Sequence, residues 1–225
     1  MKKGYQVALL LAFGALFAAF AFNPPKTSGD WASWVQAWGS IAAICAAIWI
    51  AYDQHAKVRE QQASARHDEV RNFLFGIREE LHINWVVYMQ TVGDAVQAVK
   101  DNAAVDVTWP VPENPFKVYA STVGLIGRVP DDLIRKQIVA TYVVAGGLML
   151  TWKMHNTMRA ARDAEAELVE EMDGTRPNGT WVVLQRDLTR YSQQLRKHQN
   201  EAEAMIGIAV DLIDTYLKKN PASSV

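Results

Sequence analysis

The sequence predicts an all-α protein: an N-terminal two-helix transmembrane hairpin followed by a cytoplasmic antiparallel helical bundle of three long helices and one short helix. Three observations carry this. Two stretches of about 20 residues hold no charge, which is the length a helix needs to cross a hydrocarbon core of roughly 30 Å. Beyond residue 70 the apolar residues recur at steps of three and four, the helical period. Cations flank the outer ends of the two uncharged stretches, which fixes their direction.

Residues 1–53 form the hairpin, with spans at about 4–22 and 34–52. Between them lie Asn23, Pro24, Pro25 and Gly29, which stop one helix and turn the chain. Lys2, Lys3, Lys26 and Asp30 are the only charges before residue 53. Lys2 and Lys3 precede the first span, Lys57, Arg59 and Arg66 follow the second, and Lys26 alone lies between. Both ends therefore face the cytoplasm of a bacterial inner (plasma) membrane. Trp31, Trp34 and Trp38 make an aromatic belt at the outer face, and Trp49 and Tyr52 make one at the inner face.

Gly39, Ala43, Ala47 and Ala51 line one face of the second span, and Ala8, Ala12, Ala15 and Ala19 recur at helical spacing in the first. Small residues let helix backbones approach closely in lipid. Two uses follow: the faces pack against each other within the hairpin, or one of them makes a subunit contact. Lys2-Lys3, the apolar stretch and Ala19-Phe20-Ala21 also fit a cleavable secretory signal. The reading here is an uncleaved span, and either version leaves the main domain on the cytoplasmic side.

After residue 52 the chain keeps 20 of its 23 basic and 23 of its 24 acidic residues, a balance of −3. A nucleic-acid surface would need a concentrated basic stripe, so that partner class is excluded. Cys45, the one cysteine, falls in the second span as a small packing residue and excludes a disulfide framework.

Residues 54–69 are almost wholly polar and read as a helical stalk that continues the second span. The bundle occupies residues 70–220, with a flexible tail at 221–225. Its first helix repeats Val70, Leu74, Ile77, Leu81, Tyr88, Val92, Ala95 and Val99. Unbroken from residue 34 to 99, that helix would be on the order of 100 Å long. Residues 101–115 hold three prolines and read as a loop. Asn114 is expected to cap a short helix with Pro115 in its first turn, running to about Gly127.

Asp131 is expected to cap the next long helix, which repeats Ile134, Ile138, Thr141, Ala145, Leu148, Trp152, His155 and Arg159 and ends with Gly174 as its C′ residue. Residues 137–152 are apolar enough to resemble a third span. They are too short and are flanked by Arg135, Lys136 and Lys153, so they read as a buried core segment. The last helix is predicted from Thr180, as cap, to about Lys218. Its seam is Leu184, Leu188, Tyr191, Leu195, His198, Ala202, Met205, Ala209, Leu212 and Tyr216, at heptad spacing. The short connector at 173–180 makes its flanking helices antiparallel neighbours, with a parallel coiled coil between subunits as the competing use of the seam. If the first helix leads away from the bilayer and the second long one returns, Arg176, Pro177, Asn178 and Trp181 lie nearest the membrane, in an ordinary solvated turn or in the headgroup layer.

Candidate chemistry is sparse. Glu79 and His82 stand three apart on one helix face, as in each half of a carboxylate di-iron site. The second Glu-x-x-His is missing, because the residues three before His155, His198 and His67 are Trp152, Leu195 and Ser64. No Gly-x-Ser-x-Gly elbow and no phosphate-cradling glycine motif occurs. Gly124 and Gly127 read as a helix-end turn. Gly146-Gly147 interrupts an apolar helix where Ala is favoured by about 1 kcal/mol per site; close approach of another helix is the expected reason. Asn84 falls on a core seam, where a polar residue fixes register or partner choice, and Tyr119, Tyr142 or a backbone group is expected to satisfy it.

The run Arg78-Glu79-Glu80-Leu81-His82-Ile83-Asn84 after a membrane helix, then Val118-Tyr119, Gly124-Leu125-Ile126 and a helix with Ile138 and Tyr142, resembles a loose group of uncharacterised bacterial and phage membrane-anchored helical proteins. That resemblance implies a membrane-anchored helical fold and brings no activity or site. The functional expectation is a non-enzymatic inner-membrane module, without cofactor, metal or catalytic residue. Its partners would be the bilayer and a cytoplasmic protein or further copies of itself, as a homo-oligomer. The alternatives are a pore-forming effector of the phage-exclusion or defence type and a di-metal helical-bundle enzyme.

Overall fold

A computed structural model describes residues 14, 15, 17, 18, 20–22, 26–171 and 179–222, with side chains at 169–171 left undescribed. The described residues are 87% helix, with no strand. The chain divides into two compact units, residues 1–63 and 64–225. Helix α1 (Ser28–Tyr88) runs through a π-helical turn (Met89–Gly93) into α2 (Asp94–Ala98). Next come α3 (Lys117–Thr122) with a 3₁₀ turn (Val123–Arg128), then α4 (Asp132–Glu171) and α5 (Gly179–Lys219).

In the first unit, α1 begins six residues before the predicted span. Thr27 and Asp30 form a capping box there: the Thr27 amide donates to the Asp30 carboxylate at 3.0 Å and the Asp30 amide to Thr27 Oγ1 at 3.3 Å. Described positions of residues 14–22 are helical, and the Phe20 ring meets Trp34 edge-on at 5.2 Å. Trp34, Trp38, Ile41 and Cys45 are the half-buried positions of this part of α1 and share one helix face. Gly39, Ala43, Ala47 and Ala51 are exposed, as is Ala15. Trp34 makes the described contact with Phe20, and the small face of α1 is exposed among the described residues. Ala8, Ala12 and Ala19 lie outside the described residues.

The second unit is a three-helix bundle with two abutting cores. One gathers Val70, Leu74, Ile77 and Leu81 of α1 with Ile134, Ile138 and Tyr142 of α4 and Ile206, Ala209 and Ile213 of α5. The other gathers Tyr88, Val92 and Val96, with Val105 and Trp109, around Leu148 and Trp152 of α4 and Leu195 and Ala202 of α5. Residues 64–69, read from the sequence as part of the stalk, already touch this bundle. The Pro221 carbonyl accepts a hydrogen bond from His67 Nε2 at 3.1 Å, and Glu69 pairs with Arg128.

The expected antiparallel relation of α1 and α4 is not what forms. Glu80 meets Tyr142, and eight residues on, Tyr88 meets Trp152, so the two helices run parallel. Helix α5 is antiparallel to both: Arg78 meets Asp214 and Tyr88 meets Gln199, while Thr141 meets Met205 and Thr151 meets His198. Parallel neighbours need a long crossover. Residues 99–131 supply it by running back along the bundle. The described ends at Glu171 and Gly179 consequently lie at the opposite end of this unit from residues 64–70. That removes the premise that placed Arg176, Pro177, Asn178 and Trp181 next to the bilayer. Gly174, Arg176, Pro177 and Asn178 are outside the described residues.

Two start signals also differ from expectation. Helix α3 begins at Lys117, not at Asn114-Pro115, and Phe116 at its cap position makes no side-chain bond. Its first amides are satisfied from another helix: Val118 N and Tyr119 N donate to Glu80 Oε1 and Oε2 at 2.6 and 3.0 Å. Helix α5 begins at Gly179, so Thr180 is inside it. Asp131 does cap α4, accepting from Leu133 N at 2.8 Å and Ile134 N at 3.3 Å.

Tyr142 Oη donates to Glu80 Oε2 at 2.8 Å, giving that carboxylate three donors. Replacing Glu80 with Ala orphans all three, at a cost of about 2–4 kcal/mol. Tyr142→Phe removes one partner and costs about 1 kcal/mol. Denaturant titration of the two variants by far-UV circular dichroism checks this order.

Candidate functional site

The two cores of the second unit meet at an apolar cavity of about 80 Å³. Its floor is Leu81, Leu148, Ala202 and Ile206, its aromatic walls are Trp85, Tyr88, Trp109 and Phe116, and Asn84 is its only fully hydrophilic side chain. Pro112 and Pro115 roof it. Proline lacks an N–H, so this stretch of crossover can lie over carbon without stranding donors. Asn84 Nδ2 donates to the Pro115 carbonyl at 2.9 Å, the backbone alternative among the partners expected for it. No carboxylate, thiol, hydroxyl of Ser or Thr, or imidazole lines the cavity. Such a lining can hold an apolar group of a few carbons; it cannot move a proton.

Beside the cavity a polar network crosses the core. Trp152 Nε1 donates to Tyr88 Oη at 3.1 Å, and Tyr88 donates to Gln199 Oε1 at 2.7 Å. Gln199 Nε2 donates to the Gly93 carbonyl at 3.2 Å inside the π turn. Burial pushes the Tyr88 phenol up to about 12, so it stays a donor. A Cβ at Gly93 would run into Met89 Sδ and stand 3.1 Å from Tyr88 Cε1, so a larger residue there would displace the Met89 side chain. π turns concentrate at functional sites because they re-aim the side chains around them. Here the turn sets Tyr88 against Trp109, whose rings meet edge-on at 5.0 Å.

Gln199 was not expected in the core. Helix α5 buries Leu188, Ser192, Leu195, Gln199, Ala202, Ile206, Ala209 and Ile213. The predicted seam shares Leu188, Leu195, Ala202 and Ala209 with it. Tyr191, His198, Met205 and Leu212 are only half-buried, each one residue before the true core position. Apolar character selected the flank, because Ser192 and Gln199 do not look like core residues. His198 thus sits at the rim, with Nδ1 2.7 Å from Thr151 Oγ1.

The crossover is pinned by further polar side chains. Val105 N donates to Ser192 Oγ at 2.9 Å, and its carbonyl lies 3.0 Å from His155 Nε2. A carbonyl can only accept, so Nε2 carries the proton. Nδ1 of this wholly buried ring has no hydrogen-bond partner among the described residues. Burial accordingly pushes the imidazole below its ordinary value of 6.5. Asn156 exchanges hydrogen bonds with both backbone groups of Trp109. Asp106 reaches Arg162 at 2.8 Å and Arg159 at 3.0 Å, and the Arg162 guanidinium above all holds its carboxyl below the usual range.

Other sequence candidates fall elsewhere. Glu79 pairs with Arg78 at 2.5 Å and His82 is exposed. No group of three or more His, Cys, Asp or Glu that could hold a metal ion occurs among the described residues. Trp31, Trp49 and Tyr52 are exposed, whereas Trp34 and Trp38 are half-buried. Gly146 and Gly147 are not explained by close packing within the chain: a Cβ at either meets no described atom within 4 Å. They lie on the outer face of α4, where Val139, Val143, Leu150 and Met154 are 43, 69, 68 and 51 % exposed. Comparison with protein-family models, curated proteins and solved structures finds no match, so the site is read on its own geometry.

Gln199→Leu deprives Tyr88 of its acceptor and Gly93 of its donor and should destabilise by about 2–3 kcal/mol. With Tyr88→Phe the two changes should fall short of additive, the mark of one shared network. His155 gives a pH signature. The unfolded ring binds a proton near 6.5 and the native ring binds it less readily, so stability is fully present above about pH 6.5 and declines as pH falls toward the lowered native value. His155→Gln should flatten that decline in thermal melts between pH 7 and 5.

Proposed function

We propose that the protein is a non-enzymatic inner-membrane module: its N-terminal hairpin spans the bilayer, and its helical domain, on the cytoplasmic side, binds a protein partner or further copies of itself. One observation carries the reading. No residue of the apolar window near the start of α1 is buried among the described residues, and the helix is long and apolar enough to cross a membrane. Val35, Ile48 and Trp49 are 66, 62 and 73 % exposed. Water would oppose that exposure at roughly 25 cal/mol per Å², and lipid removes the penalty. A second helix, within α4, passes the same test of length and composition, yet a third of its window is buried and its inner side completes both cores. This supports a bundle helix and no third span.

The bundle offers binding surface in place of chemistry. The cavity between the cores is apolar, most of the buried polar side chains hold backbone, and the outer face of α4 is exposed among the described residues. The lysines before the first span and the cations after the second support a cytoplasmic bundle. A second reading, a pore-forming effector, draws on one feature: the exposed face Gly39, Ala43, Ala47 and Ala51 is free to join spans of neighbouring copies. That face carries no charge to line a hydrated path, so the module reading stands first.

Two measurements test the proposal. The full-length chain should stay in the membrane pellet after an alkaline wash, and a reporter fused after Val225 should be active only in the cytoplasm; an external reporter or a soluble chain overturns it. Overexpression should leave the membrane potential intact. Depolarisation that Ala47→Leu abolishes would establish the pore instead.

A further inference from the structure

The outer face of α4 is the largest feature of the bundle that nothing in the fold accounts for. From Val139 to Trp152 the helix carries no charge, with Lys136 before and Lys153 after. Val139, Val143, Leu150 and Met154 lie at 43–69 % exposure along one stripe. Gly146 and Gly147 stand at its middle with open space beyond them. Side chains of this size and exposure leave on the order of 400 Å² of apolar surface in water, the scale at which an exposed patch marks an interaction site. Two glycines weaken an exposed helix and expose its backbone. Among the described residues nothing uses the clearance they create.

We propose that this face is a self-association surface, on which α4 of a second copy packs across the Gly146-Gly147 pair. The pattern is nearly symmetric about its centre. Val143 and Leu150 stand one turn either side of the glycines, and Val139 and Met154 two turns. A two-fold contact presents each surface to itself, and such a face answers that demand: backbone meets backbone at the glycines, and the branched and thioether side chains close the gap on either side.

Area decides between a second copy and an unrelated partner. Two such faces bury on the order of 800 Å² together, short of the 1,200–2,000 Å² of a free-standing specific complex. The contact therefore suits molecules already held near one another. Copies anchored in one bilayer are held so, because confinement raises their effective concentration without any added contact. The inference rests on the membrane reading above for this step alone.

The test uses full-length protein in native membranes, with Cys45→Ala to leave no endogenous thiol. Val143→Cys and Leu150→Cys should each give a dimer-sized product with a short bismaleimide, and Ile208→Cys, 49 % exposed on α5, should give at least tenfold less. Gly147→Leu, added to either, should cut the product at least tenfold while the melting temperature holds or rises, since leucine favours an exposed helix over glycine. Equal yield at Ile208→Cys, no product at either α4 site, or a product unmoved by Gly147→Leu overturns the proposal. So does a crosslink to a protein of different size. An alkaline wash of the same membranes reports the anchor separately: a retained chain without the α4 product overturns the dimer and spares the anchor, and a released chain that still crosslinks does the reverse.

Discussion

The second unit depends on one constraint: with α1 and α4 parallel, the chain must travel back along the bundle, much of it outside regular structure, and the buried polar groups of that return must find partners. Backbone N–H and C=O groups left alone in a core cost as much as lost hydrogen bonds. A strand would find its partners in a neighbouring strand. Here they are side chains on helices. Arg196 donates to the carbonyls of Val99, Lys100 and Asp101, and Gln193 also reaches Asp101. Ser192 and His155 hold the two sides of Val105, Asn156 holds both groups of Trp109, Asn84 holds Pro115, and Glu80 holds Val118 and Tyr119. The prolines at 110, 112 and 115 lessen the demand by having no N–H to satisfy.

Seen this way, the errors of sequence reasoning share one cause. Helix existence was readable from periodicity, and the inner face of α4 from Ile134 to His155 is buried as its spacing predicts. The Asp131 cap is readable from local chemistry. The seam of α5 is half misread because Ser192 and Gln199 occupy core positions for the sake of the return segment and the π turn. Periodicity registers them as polar and shifts the seam onto Tyr191 and His198. Glu80 is invisible for the same reason: its three donors lie 38, 39 and 62 residues away, and nothing local announces them. The direction of α4 is also non-local, since the connection across residues 99–131 allows either sense.

The candidate site inherits its form from this arrangement. Its roof is proline-rich crossover, its floor is the junction where two cores abut, and its wall is aimed by a π turn with glycine at 93. From Trp85 through Tyr88, Trp109 and Trp152 to His155, ring contacts of 5.0–5.8 Å tie α1, the crossover and α4 together. Each of these rings is held by packing or a hydrogen bond. An apolar cavity with such walls suits recognition, because little ordering remains to be done when an apolar group enters.

Surface composition completes the argument. A bundle that had only to fold would place charge on the outer face of α4, as it does on α5, where Lys197, Glu201 and Asp211 face solvent. Instead the second unit keeps its charges at bundle-building points such as Arg78 with Asp214 and Arg162 with Asp106, and leaves sixteen residues between Lys136 and Lys153 bare of them. Bare apolar surface invites nonspecific association in a free protein. Glycines at its centre restrict what fits, since close backbone approach rewards only a partner face that is equally free of side chains. On the proposed self-association, the same two residues that weaken the helix would narrow its choice of partner.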